Sequence, residues 1–542
     1  MNGAQCHQVN QPSQAKSLYF ETFPGWTDGN RKDWNLYSEN DALSALIPVS
    51  NSFSGSLKNG ETLYEGNNSN LVGVSSFIDD TPQHAILVGM TGAGKSVATI
   101  DFLSQTADLY AYTAIIEEGL SYGLFTKLMG GDPIIVSPDA DLTINYLDTQ
   151  GLPLSSSHLA VASKLCLKMI GISNNEDINN YRTAVIGEYL NDLYWNFFES
   201  WKINHKERYQ QCLEDAYIIE KKIRPSMEKG SSFFDAFKQY QAVKSKESIN
   251  PIDKETLLAF EKSTQDGHWV RNLAYAYFKS HEYPTHKHLV ELMRFSKMSN
   301  HDVKEVDYMA TMLSDWSSSG SKGKLFDGET NVVLNDKIAH FELGYIPESA
   351  RELKEAAGFV IANFIRQHII KMPRNLKKRL IFEEVSRFLD VPGGDVILSE
   401  AYAQLRKYAC WVLCVTQQFS QLKKSSLYKV IVGNSKLFFL MKQNNRDDID
   451  DIAASIGLPD TAKEGIQRYP LPEHQQSKDK CSFMTVYALN GQYNDCGTIR
   501  IQPSKALLYV ASSNGSSFDQ KSHQLAQYPS LIDGVIAEAM AS

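Results

Sequence analysis

At 542 residues the chain is longer than one ordinary core, and its 42% hydrophobic and 11% aromatic content is that of a folded globular protein rather than a disordered one. A formal net charge of −9 argues against a protein that coats nucleic acid, although a local basic patch leaves DNA open as a partner. No apolar run approaches the roughly 18 residues needed to span a bilayer, and Met1 to Ser17 lacks the apolar centre of a signal peptide, so a soluble or peripheral protein is expected. The seven cysteines are odd in number and contain no Cys-x-x-Cys, which suits a reducing cytoplasm better than a disulfide framework or a zinc site.

In chain order, residues 1–70 are polar and rich in Ser, Asn and Gly, and are expected to be a lead-in that packs on the core. Residues 71–150 are expected to form the first part of that core. Here the apolar run Ala85-Ile86-Leu87-Val88 precedes Gly89-Met90-Thr91-Gly92-Ala93-Gly94-Lys95-Ser96, and an amphipathic stretch follows from Val97 to Tyr110. A glycine loop joining a buried strand to a helix aims backbone N–H groups and the helix N-terminus at one point, so residues 89–97 predict a polyphosphate cradle. Lys95 would reach the β/γ-phosphates, and the Ser96 hydroxyl would take one position on Mg²⁺. ATP and Mg²⁺ are the ligands expected, although binding alone does not establish hydrolysis. Two strands are expected next, Tyr112 to Glu117 and Pro133 to Ser137, in the alternation of a mostly parallel sheet flanked by helices, an α/β class.

Residues 151–325 read as an inserted all-α subdomain, with helices over Ser155 to Ile170, Ile178 to Trp201 and Lys206 to Ile223. Within it, His281, His286 and His288 are interrupted by Pro284 and read as a solvated loop rather than a metal cluster. Sheet patterning returns in residues 326–542, the expected second part of the core. It is expected at Asn331 to Leu334, Arg379 to Glu384, Ala409 to Thr416, Lys436 to Met441, Phe483 to Leu489 and Thr498 to Val510, before a C-terminal helix near Leu531 to Met540. Cys410 and Cys414 read as small buried hydrophobes.

Hydrolysis needs acids at the ends of strands neighbouring the glycine loop, and the run Arg379-Leu380-Ile381-Phe382-Glu383-Glu384 supplies two. Glu383 is assigned to the metal and Glu384 to orienting or activating water. Gln417 follows the apolar run Ala409 to Thr416 and either senses the γ-phosphate or caps the strand end. Arg406, on the helix pattern Leu398 to Tyr408, is either a surface residue or an arginine finger for a neighbouring subunit. The basic stretch Lys371, Arg374, Lys377, Lys378 and Arg379 reads as solubilising charge before a buried strand, with nucleic acid or anionic lipid as the rival.

These landmarks resemble the motor portion of the TraC/TrbE-type ATPases of conjugative type IV secretion systems, in the FtsK/HerA-like branch of P-loop motors. The resemblance rests on Phe23-Pro24-Gly25, Leu46-Ile47-Pro48, the glycine loop, Glu117-Glu118-Gly119-Leu120-Ser121-Tyr122, Gly130-Gly131, Ile144-Asn145, Glu383-Glu384, Arg406-Lys407, Thr416-Gln417 and Gly433-Asn434, in that order. Tyr146 stands where the family usually has Pro, and Glu117 and Glu383 stand where Asp is usual. The family normally carries a further N-terminal membrane-docking domain, whereas this sequence begins near the motor. The resemblance implies a RecA-like P-loop core that hydrolyses Mg·ATP. It further implies a homo-oligomer, a hexamer, peripheral at the cytoplasmic face of a bacterial inner membrane. There it would work with inner-membrane components of the secretion apparatus to drive pilus assembly and substrate transfer. The alternatives are a DNA-translocating motor or coupling protein of the same branch, and a nucleotide-gated scaffold with little hydrolysis.

Overall fold

The computed structural model describes residues 53–227, 233–244, 252–264, 268–296, 301–335, 337–387, 394–475, 480–489, 494–511 and 515–541. The strands are β1 (Thr62–Gly66), β2 (Leu71–Val74), β3 (Phe77–Ile78), β4 (Thr81–Pro82), β5 (Ala85–Val88), β6 (Tyr112–Glu117), β7 (Ile134–Ile135), β8 (Ile338–Glu342), β9 (Lys378–Glu383), β10 (Cys410–Thr416), β11 (Leu437–Met441), β12 (Ser482–Leu489) and β13 (Asn494–Ile501). All but β3 and β4 share one sheet, ordered β2-β1-β13-β12-β11-β5-β10-β9-β6-β8-β7. The run from β11 to β7 is parallel, and β12, β13, β1 and β2 extend it antiparallel.

The central strands read as unbroken apolar runs because both faces are covered, as parallel sheets require. Side chains alternate with a period of two, so Ile86 and Val88 enter one core while Ala85 and Leu87 enter the other; Val412 and Leu413 divide in the same way. The first core joins the sheet to helix Arg351–Lys371 and to the helical block, which contributes Leu165, Ile186 and Tyr189 among others. On the opposite face Ile100, Phe102 and Leu103 of helix Lys95–Gln105 pack with Val510 of helix Lys505–Ala511 and Val535 of helix Leu531–Ala541. Between β7 and β8 the described residues form helices and turns with no strand, including Ser156–Ile170, Glu176–Asn204 and Lys206–Ile218. Among the described residues no helix is long and apolar enough to cross a membrane.

Several expectations change. Residues 1–52 of the expected lead-in, with Phe23-Pro24-Gly25 and Leu46-Ile47-Pro48, lie outside the described residues, while β1 pairs with β13 in the main sheet. Asn331 to Leu334 is not a strand; the chain joins the sheet at β8 instead. Thr498 to Val510 is divided, with β13 ending at Ile501 and helix Lys505–Ala511 starting after Pro503, whose missing N–H cannot serve a ladder. His286 is not on a solvated loop. It opens helix His286–Phe295 fully buried, with Nδ1 2.8 Å from the Tyr146 hydroxyl and Nε2 2.8 Å from the Leu313 carbonyl. The basic stretch is also less solvated than expected, since Lys378 and Arg379 are wholly buried and Lys377 pairs with Glu61 at 2.7 Å. Cys410 and Cys414 are buried free thiols, and burial pushes both up to about 12.

Candidate functional site

Parallel strands end at one edge, and ligands of open α/β sheets bind in the crevice outside those ends. The ladder sets the alignment, with Val415 beside both Leu87 and Glu383, and Thr416 beside Val88. The glycine loop after β5, the acids after β9 and Gln417 after β10 therefore meet although hundreds of residues separate them. They line a cleft of about 470 Å³ together with Glu118, Ser121 and Arg387.

The loop is built for close approach. Gly92 and Gly94 hold φ of 80° and 97°, and the second is the residue from which helix Lys95–Gln105 starts. Gly89 N–H donates to Thr416 O at 3.3 Å and Met90 N–H to Lys442 O at 2.9 Å, which ties the loop to the ends of β10 and β11. Ala93 is buried, and its N–H donates to Met90 O at 3.2 Å. Thr91, Gly92, Gly94, Lys95, Ser96 and Val97 line the cleft, whereas Gly89, Met90 and Ala93 shape the loop behind it. Lys95 Nζ donates to Met90 O at 3.4 Å, and the Thr91 hydroxyl donates to Gln417 Oε1 at 2.7 Å.

Glu383 ends β9 and Glu384 lies just beyond it, with a positive φ of 54° and its N–H donating to Val415 O at 2.9 Å. A non-glycine residue held there carries of order 1–3 kcal/mol of strain, a condition that clusters at ligand sites. Both carboxylates are buried, and Glu383 Oε2 and Glu384 Oε1 have no hydrogen-bond partner among the described residues. Burial pushes Glu383 up to about 8, reinforced by the charge of Glu117 and opposed by Lys95. Burial also raises Glu384, against Arg387 and Lys95, and lowers Lys95 against the two acids. Two orphaned carboxylate oxygens on residues that line the same cleft as Ser96 are, with its hydroxyl, a donor set that suits Mg²⁺.

Behind the cleft Glu117, His340 and Glu342 bring one ligand atom each within 4.8 Å of one another, a spacing a metal could use. Their oxygens are already engaged. Glu342 accepts the N–H groups of Gly119, Leu120 and Gly344, and Glu117 those of Ser121 and Tyr122. The two glutamates thus clamp the loop after β6, whose Glu118 and Ser121 line the cleft. Burial raises Glu117 and Glu342 to about 7 each and lowers His340 to about 4.

Arg406 is not in the cleft. It is exposed near the C-terminal end of helix Gly394–Lys407, which leads into the start of β10, and its charge acts on His84 just before β5, at the opposite edge of the sheet. Arg387 and Glu118 were not singled out from sequence as site residues; the only signal for Arg387 is its place three residues after Glu384.

The sequence profile of the TraG P-loop domain matches residues 257–532, just over half of the chain, a span that holds Glu383, Glu384 and Gln417 and begins after the glycine loop. Protein TraC of Escherichia coli (strain K12) is 27% identical over 148 residues, which cover 26% of this chain and 17% of that protein. The structure of VirB4 of Thermoanaerobacter pseudethanolicus superposes with a TM-score of 0.56 at 14% identity, over 83% of this chain and 98% of that one. The fold is accordingly that of a RecA-like P-loop NTPase core, with a mixed, mostly parallel sheet flanked by helices.

Proposed function

The chain belongs to the TraG P-loop domain family, and from that premise we propose that it hydrolyses Mg·ATP in the cleft to power conjugative type IV secretion, in pilus assembly and substrate transfer. The observation that carries this reading is the convergence of Lys95, Ser96, Glu383, Glu384 and Gln417 on one cleft from three separate strand ends. The shared edge suits in-line attack on a terminal phosphate, since such catalysis is mostly positioning and charge stabilisation.

Lys95 Nζ would leave the Met90 carbonyl for the phosphate oxygens, a short swing that exchanges a weak neutral acceptor for a charged one. Ser96 and Glu383 would hold Mg²⁺, which when bound neutralises charge on the phosphate oxygens. Glu384 would orient the attacking water and draw its proton; Lys95 and Arg387 keep its carboxyl lower than burial alone would. Gln417 would exchange the Thr91 hydroxyl for the γ-phosphate or the water. Exposed Arg406 remains available to a neighbouring subunit, consistent with a ring of copies, a hexamer, working beside the secretion components at the cytoplasmic face of the inner membrane.

Phosphate release with Mg·ATP tests the reading. Glu384→Gln should lower turnover about 10²- to 10⁴-fold while nucleotide still binds, and Lys95→Ala should abolish turnover with the fold intact. Equal rates in parent and Glu384→Gln would remove Glu384 from its role, and unchanged turnover in Lys95→Ala would show that the site lies elsewhere.

A further inference from the structure

Arg387 lies in the cleft with no part in the scheme beyond its effect on Glu384. Chain geometry brings it there. The left-handed turn at Glu384 redirects the chain out of β9, and the tight turn Val385–Arg387 closes with Arg387 N–H donating to Glu384 O at 2.8 Å. Arg387 then lines the cleft with Lys95, Ser96 and Glu384, and its Nη1 donates to Oε2 of Glu118, another lining residue, at 3.4 Å.

That contact is a weak hold. The Arg387 side chain keeps 51% of its exposure, and the same Glu118 oxygen already has Lys354 Nζ 3.6 Å away. The arginine is the half-exposed partner of a nearly buried carboxylate, and a single bond of this length holds it only loosely. A phosphate would offer two oxygens to the planar fork of an arginine and a stronger charge-assisted pair. Glu118 itself cannot drift, because the loop that carries it is fixed by the backbone donors on Glu117 and Glu342. The arrangement is a cation parked beside the expected terminal phosphate on a fixed acid that gives it up readily.

We infer that Arg387 is a within-chain ligand of the γ-phosphate of the bound nucleoside triphosphate, and that Glu118 holds it at the cleft wall until that phosphate draws it off. The inference rests on the nucleotide reading above. It assigns a discrimination: triphosphate binding uses Arg387 and diphosphate binding does not. An ion pair that merely braces the turn would affect both nucleotides alike.

Calorimetric titration of the full chain with the non-hydrolysable analogue AMP-PNP and with ADP, each with Mg²⁺, separates these. Arg387→Ala should weaken AMP-PNP about tenfold and leave ADP within twofold of the parent, Arg387→Lys should recover part of the loss, and Glu118→Gln should bind AMP-PNP at least as tightly as the parent. Thermal melting of each variant within a few degrees of the parent confirms the fold. Equal losses for both nucleotides, or parent-like AMP-PNP affinity in Arg387→Ala, would overturn the assignment. A parent chain that binds neither nucleotide would fail the nucleotide reading first, a result distinct from failure of Arg387.

Discussion

Gly92 and Gly94 both take φ values in the left-handed region, yet their surroundings differ. A Cβ on Gly92 would have Glu473 Oε1 as its nearest neighbour, at 4.0 Å, so Gly92→Ala meets only backbone strain, about 1–2 kcal/mol. A Cβ on Gly94 would collide with the Ser482 hydroxyl at the start of β12 and lie 3.3 Å from its Cβ, so Gly94→Ala must also turn that hydroxyl aside and ease the loop from the strand by a few tenths of an ångström. Urea unfolding should show the larger loss for Gly94→Ala, and nucleotide titration should show a drop in affinity greater than for Gly92→Ala. Equal losses in both assays would mean that β12 does not set the loop. The motif letters identify both glycines, but the Ser482 contact is tertiary and has no local signature.

At the scale of elements, β9 shows what patterning reveals and what it hides. Leu380 to Phe382 mark a buried strand, legible because a strand covered on two faces is an apolar run, and the acids that follow mark a candidate site at its end. The basic residues that open it gave a misleading signal. Arg379 is fully buried, its guanidinium donating to Thr113 Oγ1 at 2.8 Å, to Leu103 O at 3.0 Å and to Thr106 Oγ1, with the Tyr110 ring 4.6 Å away. It thereby pins β9 to β6 and to helix Lys95–Gln105, and burial lowers it to about 10. Arg379→Ala should cost about 3–5 kcal/mol, as removal of a large buried side chain does. Arg379→Met should cost less, since it refills the volume and leaves mainly two hydroxyls and a carbonyl short of a donor. Urea midpoints that rank the variants in the reverse order would contradict this account. Strand β8 was illegible for a related reason: His340 and Glu342 interrupt its apolar run because they serve the buried clamp behind the cleft.

Across the whole molecule the two faces of the sheet have different partners, and the helical block is fastened to one of them partly through polar groups. His158 on helix Ser156–Ile170 has Nε2 3.0 Å from the Tyr194 hydroxyl of helix Glu176–Asn204 and Nδ1 2.9 Å from the Gln367 side-chain nitrogen of helix Arg351–Lys371. The Tyr194 hydroxyl gives its proton to Leu147 O at 2.6 Å, so it accepts from Nε2–H, which leaves Nδ1 to accept from Gln367. A second proton would set Nδ1–H against an N–H donor in a fully buried site. Burial, then the charge of Arg366, lowers His158 from 6.5 to about 4. Because the folded pKa lies below the unfolded one, the unfolded chain binds more protons between pH 6.5 and 4; stability is held above that window and falls as pH drops through it. For one such histidine the loss reaches about 3 kcal/mol. Glu117 and Glu342, raised to about 7, act in the opposite sense and lose stability as pH rises from about 4.5 to 7, so the parent curve alone mixes the two effects. The difference between parent and His158→Gln isolates the histidine. Measured by urea unfolding from pH 7.5 to 4.5, the advantage of the parent should shrink by about 2 kcal/mol as the pH falls, and parallel curves would mean that His158 is not held neutral where the helical block meets the sheet.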